Sequence, residues 1–402
     1  MQSTAKAKKH TGLASFFVIM FVFNMAANFV HPVTPTIILD MHLNDYMFGL
    51  ALAAMMAFNF LFSPFWGKMA GYFSSRRVML VAGLGYALGQ VFFGIARSEM
   101  EFLLARMFAG TFCGGSYVAF MTYVVNMSDD RSRGKNMAVH ATVTAVSSSF
   151  GYFVGGMVGE VDAYLSVWLQ VTVLAVCSAA HFLLCREDKT QSVRPPIGKL
   201  IRESNPLSAL VQCRKFLTPL IASLFLSYGL ANLGYIAFEQ CFNYYLRDQF
   251  LLSSGYNGVI KAALGVISLA ANGTLCMWIL KRKPYTPYLA GVMAVCTVAM
   301  AGVIFAEQMG LFIAVNVVFF AFYFVSLPLM QDKAAQLGKG GDSNLVMGSF
   351  NAVKSFGSIF GSALAGFLYE SHVKLPFAFG FAAFLLAAVM VVVMMRLEVK
   401  KA

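Results

Sequence analysis

Between residues 216 and 246 the chain reads FLTPLIASLFLSYGLANLGYIAFEQCFNYYL, an apolar run with a single charged side chain, Glu239. A helix needs about 20 mainly apolar residues to cross a bilayer, so this run is long enough to span a membrane. A charge in hydrocarbon is expensive unless it faces the interior of a helix bundle or a watery cavity. Glu239 therefore indicates a functional site inside a membrane protein.

The same pattern repeats along the whole chain. Of its 402 residues, 59% are hydrophobic and 12% are charged, about half the charged fraction of a soluble domain. Apolar runs long enough to span a bilayer are centred near residues 25, 58, 88, 114, 148, 174, 230, 268, 297, 321, 357 and 385. We therefore predict an all-α membrane protein with twelve transmembrane helices and no soluble domain.

Lysine and arginine are concentrated on one side of the predicted membrane. If the N-terminus is cytoplasmic, 24 of the 30 basic residues lie in inner loops or tails, three in outer loops and three within spans. Inner loops of membrane proteins are enriched in basic residues, so we predict a multi-pass plasma-membrane protein with both termini in the cytoplasm. The net charge of +12 follows from this topology and does not indicate a nucleic-acid partner.

The sequence gives no sign of an enzyme or of a cofactor. Its seven cysteines are scattered without a CxxC pair, so we expect neither disulfides nor a metal site. The first apolar run is too long for a cleavable signal peptide. No nucleophile–base pair or phosphate-binding loop stands out.

A polar segment divides the chain into two similar halves. We predict an N-terminal six-helix bundle over 1–184, a cytoplasmic linker over 185–215 and a C-terminal six-helix bundle over 216–402. A shift of 210 residues aligns Ser148, Phe150, Gly151, Gly156 and Glu160 with Ser358, Phe360, Gly361, Gly366 and Glu370. Parallel half-repeats of this kind are typical of transporters whose binding site lies near the bilayer midplane.

The loop between the second and third spans reads GKMAGYFSSRRVML, residues 67–80. Gly67, Ala70, Phe73, Arg76 and the apolar run that follows match the loop signature of the major facilitator superfamily, which the chain therefore resembles. The resemblance implies two six-helix bundles around a central cavity and a gating role for Gly67, Gly71, Arg76 and Arg77. Gly71 stands where the family has an aspartate that helps to hold the gate. The alternative is a basic cytoplasmic turn without a gating role.

Three further motifs resemble the twelve-helix drug/proton antiporter branch of that family. His31-Pro32-Val33-Thr34-Pro35 matches its Pro-x-x-Pro signature, and Arg106-Met-Phe-Ala-Gly110 matches its Arg-x-x-x-Gly motif. Gly151-Tyr-Phe-Val-Gly155-Gly156 resembles Gly-Pro-x-x-Gly-Gly, with Tyr152 in place of the proline. The resemblance implies proton handling by Arg106 and close helix packing against the other half at the three glycines. For Arg106 the alternative is a structural arginine bonded to neighbouring carbonyls.

Polar side chains recur at helical spacing within several spans. The family resemblance places the first, fourth, seventh and tenth spans around the cavity. We predict a substrate-binding set of Asn24, Asn28, His31, Tyr117, Asn232, Tyr235, Glu239, Asn243, Tyr323, Asn351 and Lys354. For a single asparagine or tyrosine, the alternative is an interhelical hydrogen bond.

Glu239 and Arg106 are the predicted proton-coupling residues. A carboxylate in apolar surroundings favours its neutral form, so Glu239 is suited to take up and release a proton. The leading hypothesis is a monomeric secondary transporter that exports small organic compounds in exchange for protons.

Two other functions stay open. The lysines and Arg106 favour a carrier or exchanger of an organic anion or zwitterionic metabolite, and a receptor or scaffold that does not transport is a more distant hypothesis. The alternative interpretation of Glu239 and Lys354 is a structural ion pair between them. Lys261 is expected to extend toward the outer surface.

Overall fold

The computed structural model describes residues 2–188, 198, 204–205, 217–337 and 343–400, which are almost entirely α-helical. The first half of the chain contains α1 (Gln2–Ala26), α2 (Thr34–Asp40), α3 (Met47–Tyr72), α4 (Ser75–Ile95), α5 (Glu99–Met127), α6 (Asp130–Gly159) and α7 (Ala163–Leu184). The second half contains α8 (Pro219–Asp248), α9 (Ser254–Ala271), α10 (Met277–Leu280), α11 (Thr286–Phe305), α12 (Met309–Leu337), α13 (Ser343–Ser371) and α14 (Leu375–Val399). A π-helical turn, Asn272–Cys276, joins α9 to α10, and the three form one span.

Every predicted span lies in one of these helices. Within the described residues, ten helical segments are long and apolar enough to cross a bilayer. The other two spans are α1, whose shorter apolar part is Leu13–Ala26, and α13, which carries several polar side chains along its length. Helices satisfy every backbone N–H and C=O internally, as the bilayer core requires. The prediction of an all-α fold with twelve transmembrane helices is confirmed.

Several helices begin at side chains that cap them. Ser98, Asp162 and Thr218 precede α5, α7 and α8, and each accepts a hydrogen bond from a backbone N–H in the first turn. Such caps satisfy donors that have no partner within the helix. The short polar loops between the spans therefore contain the signals that start the next helix. The predicted linker over 185–215 lies mostly outside the described residues, which include only 185–188, 198 and 204–205 of it.

By internal contacts the chain divides into two compact units. Unit 1 comprises Met1–Leu43, Ala54–Pro206 and Leu252–Ala262, and unit 2 comprises Asn44–Ala53, Leu207–Leu251 and Ala263–Ala402. Unit 1 contains most of the N-terminal half of the sequence, and unit 2 contains most of the C-terminal half. Each unit also includes one short segment from the other half. The start of α3 belongs to unit 2, and the start of α9 belongs to unit 1.

Each unit has its own core. In unit 1, α4 contacts α5 and α7 extensively, and α1 contacts α6 and α7. The rings of Phe16, Phe23 and Phe120 meet there around the buried His181. In unit 2, α8 contacts α13 and α14, and α11 contacts α14 and α12. Phe238, Phe319 and Phe384 are buried at the meeting of α8, α12 and α14.

The 210-residue repeat has equivalent contacts in the two units. Ser148 accepts a hydrogen bond from Asn28 of α1 at 3.2 Å, and Ser358 accepts one from Asn232 of α8 at 2.7 Å. Gly156 faces the backbone of Ser254, which the 210-residue shift relates to Asn44. Gly366, the equivalent of Gly156, faces the backbone of Tyr46, close to Asn44. The two halves thus use the same residue types for the same helix contacts.

Candidate functional site

In unit 2, Glu239 lies beside a wall of aromatic rings. One helical turn before it on α8, the ring of Tyr235 stacks on Tyr323 of α12, with their centroids 4.0 Å apart. Phe320 and Phe324 meet the Tyr235 ring edge-on, at centroid distances of 6.2 and 6.0 Å. Tyr323 and Phe320 are buried, so the partly exposed rings of Tyr235 and Phe324 are the ones open to a ligand, with an acid one turn away.

The carboxylate of Glu239 is half-buried, and its surroundings include polar groups as well as rings. It accepts a hydrogen bond from Gln240 Nε2 at 2.7 Å, and it interacts electrostatically with Tyr323. Its predicted neighbour Asn243, one turn further along α8, is buried, and its Oδ1 has no hydrogen-bond partner among the described residues. A buried amide oxygen without a partner is a candidate contact for water or for a polar group of a ligand.

Lys354 and Asn351 lie on α13 of the same unit with exposed side chains. Asn232 of α8 donates hydrogen bonds to the carbonyl oxygen of Lys354 at 2.8 Å and to Ser358 at 2.7 Å. These bonds fix the backbone from which Lys354 extends. The buried Asn232 therefore has the interhelical role that was the alternative at this position, and it positions the lysine at the same time.

In unit 1, the predicted residues of α1 form a polar row. Asn28 donates to the carbonyl oxygen of Asn24 at 2.8 Å and to Ser148 of α6. Asn24 is only 1% exposed, and neither polar atom of its side chain has a hydrogen-bond partner among the described residues. Tyr117 of α5 is half-buried, and its ring meets Phe120 edge-on. Among the predicted residues of unit 1, Asn24 thus has a buried amide that is available to water or a ligand.

His31 and Tyr152 bring two of the sequence motifs together. Their rings are nearly parallel, with centroids 5.5 Å apart. Lys261 of α9 lies over the same tyrosine ring at 5.7 Å, and it is 8% exposed. The expectation that Lys261 extends to the outer surface is wrong, because the start of α9 packs within unit 1 and covers it. The tyrosine that replaces the motif's proline thus contacts both His31 and Lys261.

Arg106 is buried in an aromatic setting. Its guanidinium lies 3.8 Å from the centroid of Phe93 and 5.9 Å from that of Phe102. It donates a 3.4 Å hydrogen bond to the hydroxyl of Thr34, which belongs to the His31–Pro35 motif. A desolvated cation–π contact contributes about 2 kcal/mol. The structural partners of Arg106 are therefore rings and a hydroxyl, rather than the carbonyl groups expected as the alternative.

The residues of the Gly67–Leu80 loop are tied to the end of α7. Arg76 and Arg77 form ion pairs with Glu187 at 3.0 and 3.2 Å. Asp188 accepts hydrogen bonds from the backbone and hydroxyl of Ser75, at 2.8 and 2.5 Å. A Cβ at Gly67 or Gly71 would enter open space. The loop is thus fixed within unit 1 by two acids that follow α7, and neither glycine is required by packing.

The glycines of α6 are required by close helix approach. A Cβ at Gly151 would overlap the backbone oxygen of Met25, and one at Gly155 would overlap that of Phe29, both on the first span. A Cβ at Gly156 would meet the backbone of Ser254 and Gly258 at the start of α9. Two of the three glycines therefore pack within the N-terminal half of the sequence, and Gly156 packs against a segment of the other half.

Of the aromatic wall, the sequence prediction includes Tyr235 and Tyr323 but not Phe324. A second stack, Tyr228 on Phe350 with centroids 3.8 Å apart, joins α8 to α13 on the same unit. A signal was present in the run FFAFYF at 319–324, which is unusually rich in rings for one span. Among the described residues, no group of three His, Cys, Asp or Glu side chains is placed to hold a metal ion.

Comparison with known proteins places this arrangement in a family. The family model described as Major Facilitator Superfamily matches residues 16–353. Multidrug resistance protein 2 of Bacillus subtilis is 21% identical over 373 residues, covering 91% of each chain. Quinolone resistance protein NorA of Staphylococcus aureus is 20% identical over 362 residues, covering 90% of each chain.

Solved structures show the same fold. The human organic anion transporter MFSD10 (TETRAN) aligns with a TM-score of 0.67 at 17% identity, covering 95% of this chain and 99% of that one. A bacterial homolog of the human lysosomal transporter Spinster, in an inward-facing and occupied conformation, aligns with a TM-score of 0.76 at 12% identity, covering 96% of each chain. The matched family model spans most of the twelve helices, and the chain therefore belongs to the Major Facilitator Superfamily.

Proposed function

We propose that this chain exports small organic compounds in exchange for protons, and that Glu239 takes up and releases the proton. The observation that carries the proposal is the position of Glu239, a half-buried acid one helical turn from the stacked rings of Tyr235 and Tyr323. Membership of the superfamily makes the chain a membrane transporter of small molecules and not an enzyme. Direction, coupling ion and substrate are the parts that we propose.

The chemistry of the site explains how proton and substrate would compete. When Glu239 is neutral, it is compatible with the apolar rings beside it, because the neutral form of an acid needs little solvation. When it is ionised, it requires a positive or hydrogen-bonding partner, which a polar substrate group supplies. A ligand shifts a conformational equilibrium only through a difference in affinity between the two states. In this proposal, protonation of Glu239 favours one orientation of the cavity. Binding of substrate to the ionised carboxylate favours the other orientation.

The sequence relatives support export as the direction. Two of them are named for resistance to drugs, and each matches about nine-tenths of this chain. The partly exposed rings of Tyr235 and Phe324 suit aromatic, partly apolar compounds, since a contact between rings contributes about 0.5–1.5 kcal/mol beyond the area that it buries. Arg106 is assigned a positioning role in this proposal, because its ring and hydroxyl contacts hold α4, α5 and the Thr34 segment together.

We also propose that the chain is a monomer in the plasma membrane with both termini in the cytoplasm. A cysteine replacing Ser343, at the start of α13, should react with a membrane-impermeant maleimide only from the cytoplasmic side. One replacing Ser371, at the other end of α13, should react only from outside. The 24-to-3 distribution of basic residues is the physical reason.

Replacing Cys213, which lies outside the described residues, by serine gives a low background for this labelling, because the other six cysteines are buried. Cys113, Cys177, Cys185, Cys241, Cys276 and Cys296 are buried. The parent protein, labelled under the same conditions, is the control. Reaction of the Ser371→Cys variant from the cytoplasmic side would reverse the orientation.

Transport by reconstituted protein tests the function directly. Proteoliposomes with an imposed pH gradient are screened with cationic dyes beside organic anions of similar size. We expect dye movement against its concentration gradient, driven by protons moving the other way and abolished by a protonophore. Equal dye movement with and without the gradient would contradict proton coupling.

A second candidate function is transport of an organic anion or zwitterion. The observation that favours it is Lys354, an exposed ammonium on α13 whose backbone is fixed by Asn232. Replacing Lys354 by methionine keeps the length of the side chain and removes its charge. The variant should retain transport of a cationic or neutral compound, and it should lose binding of an anion by about tenfold or more, the scale of a charge-assisted hydrogen bond.

The comparison of substrates separates the two functions. Binding of anions and cations is measured on the same preparation by isothermal titration. Lys281, which lies exposed after α10 and outside the spans, provides a matched control as Lys281→Met. Unimpaired anion transport by Lys354→Met would exclude the second candidate.

A further inference from the structure

Two hollows meet at Arg97, which follows the last residue of α4. One is an apolar groove of about 540 Å³ between α4 and α5, and its lining includes Phe92, Ile95, Leu104 and Phe108. The other is a pocket of about 510 Å³ whose lining includes Met41, Gly94 and Tyr164. Ile95, Ala96 and Arg97 line both hollows. The groove and the pocket therefore lie next to each other in unit 1.

The groove faces the hydrocarbon of the membrane. Ile95 and Leu104 are each 56% exposed, and Phe92 is 38% exposed, although all three belong to membrane-spanning helices. The rings of Phe92 and Phe108 meet edge to face, with centroids 5.2 Å apart. A concave apolar strip between two spans fits a hydrocarbon chain, because concave apolar sites bury much of the surface of an apolar ligand.

The charges around the pocket are mixed. Arg97 is exposed, and its backbone N–H donates to the carboxylate of Glu101 at 2.7 Å. Glu101 also lines the groove. Tyr164 is within electrostatic range of Arg97 and of two more acids, Asp40 and Asp162. Arg97 and Glu101 thus place one cation and one carboxylate at the end of the groove, and Asp40 and Asp162, which also caps the start of α7, lie near Tyr164.

This charge pattern selects among headgroups. A headgroup with only negative charge would gain one attraction at Arg97 and meet the carboxylate of Glu101, which has the same sign. A headgroup with a phosphate and a primary ammonium group meets opposite charge at both ends. A quaternary ammonium carries the same charge but has no N–H to donate, so its contacts with carboxylates are weaker.

We propose that this face of unit 1 binds one phospholipid with a primary amine in its headgroup. An acyl chain occupies the groove, the phosphate contacts Arg97, and the ammonium contacts the carboxylate of Glu101. The distribution of basic residues assigns this end of the helices to the outer leaflet. The site is separate from Glu239 and its aromatic wall, so it does not depend on which compound is transported.

Trp168 is a natural reporter for this site. A Cβ at Gly94, which lines the pocket, would lie 3.3 Å from the Trp168 ring, and Trp168 is 40% exposed. Replacing the other two tryptophans, Trp66 and Trp278, by phenylalanine leaves Trp168 as the single fluorophore. The full chain is reconstituted with brominated phosphatidylethanolamine, phosphatidylcholine or phosphatidylglycerol, each diluted in unbrominated lipid.

We expect brominated phosphatidylethanolamine to quench Trp168 with an apparent affinity about three- to fivefold above the other two, the size of an exposed ion pair. The preference should disappear in Arg97→Gln and remain in Arg247→Gln, a matched change at the end of α8. Equal quenching by the three lipids, or a preference that survives Arg97→Gln, would overturn the proposal.

A second measurement avoids the tryptophan substitutions. Native mass spectrometry of the full chain counts the phospholipids retained after mild delipidation. Retention of one phosphatidylethanolamine by the parent and by Arg247→Gln, but not by Arg97→Gln, supports the site. Retention that is the same in all three proteins, or absent from all three, contradicts it.

Discussion

Replacing Glu239 by glutamine should abolish pH-driven, uphill transport while substrate binding and downhill exchange survive. The amide has nearly the shape of the neutral acid, so it preserves the contact with Gln240 and the neighbouring rings. It cannot lose a proton, so a pH gradient no longer biases the two states of the transporter. Uphill accumulation in proteoliposomes should fall to the level of protein-free vesicles.

Matched substitutions separate coupling from folding. Glu307→Gln makes the same change in an exposed acid between α11 and α12 and should keep its uphill transport. If Glu239 and Lys354 instead form a structural pair, removing one partner leaves the other charge without its counter-ion inside the bilayer, which is unfavourable. Either single variant would then fold poorly, and Glu239→Gln combined with Lys354→Met would recover the yield. Full uphill transport by folded Glu239→Gln would refute the role of this residue.

Gly155→Ala should destabilise the protein by about 1–3 kcal/mol, the usual effect of overpacking. The added methyl group would overlap the backbone oxygen of Phe29, and a backbone cannot move aside as a side chain can. The first span and α6 would then have to separate. Thermal unfolding in detergent, followed by the fluorescence of a thiol-reactive dye, measures the change.

Gly291→Ala is the matched control for this experiment. It makes the same substitution in α11, where a Cβ would meet no atom within 4 Å. Alanine is a better helix former than glycine by about 1 kcal/mol, so this variant should be as stable as the parent or more stable. If the two variants unfold at the same temperature, close packing at Gly155 does not limit stability.

Much of the fold follows from the sequence because the bilayer imposes one length and one secondary structure on each span. The run at 216–246 is helical from Pro219 to Asp248, and the other predicted runs behave in the same way. The exchange of short segments between the units could not be predicted, because hydropathy does not report which neighbours a helix end contacts. The π-helical turn at Asn272–Cys276 likewise has no signal in an apolar sequence.

The sequence indicated which residues belong to the candidate site better than it indicated which of them contact one another. The isolated charge at Glu239 was visible because a carboxylate is rare in such a run. The stacking of Tyr235 on Tyr323 depends on how α8 and α12 pack, which one sequence does not reveal. The setting of Arg106 shows the same limit, since Phe93, Phe102 and Thr34 come from three separate parts of the chain. Lys261 was misplaced because its burial depends on the early residues of α9 packing within unit 1.

The most direct test of proton-coupled export is to measure proton movement caused by the substrate itself. Proteoliposomes containing the unmodified chain and a trapped pH-sensitive dye are prepared without a pH gradient, and a transported compound is then added outside. Substrate entry should drive protons out and raise the internal pH, with the same substrate dependence as the flux and without any change in Glu239→Gln vesicles. Substrate flux through the unmodified protein with no change in internal pH would contradict the account.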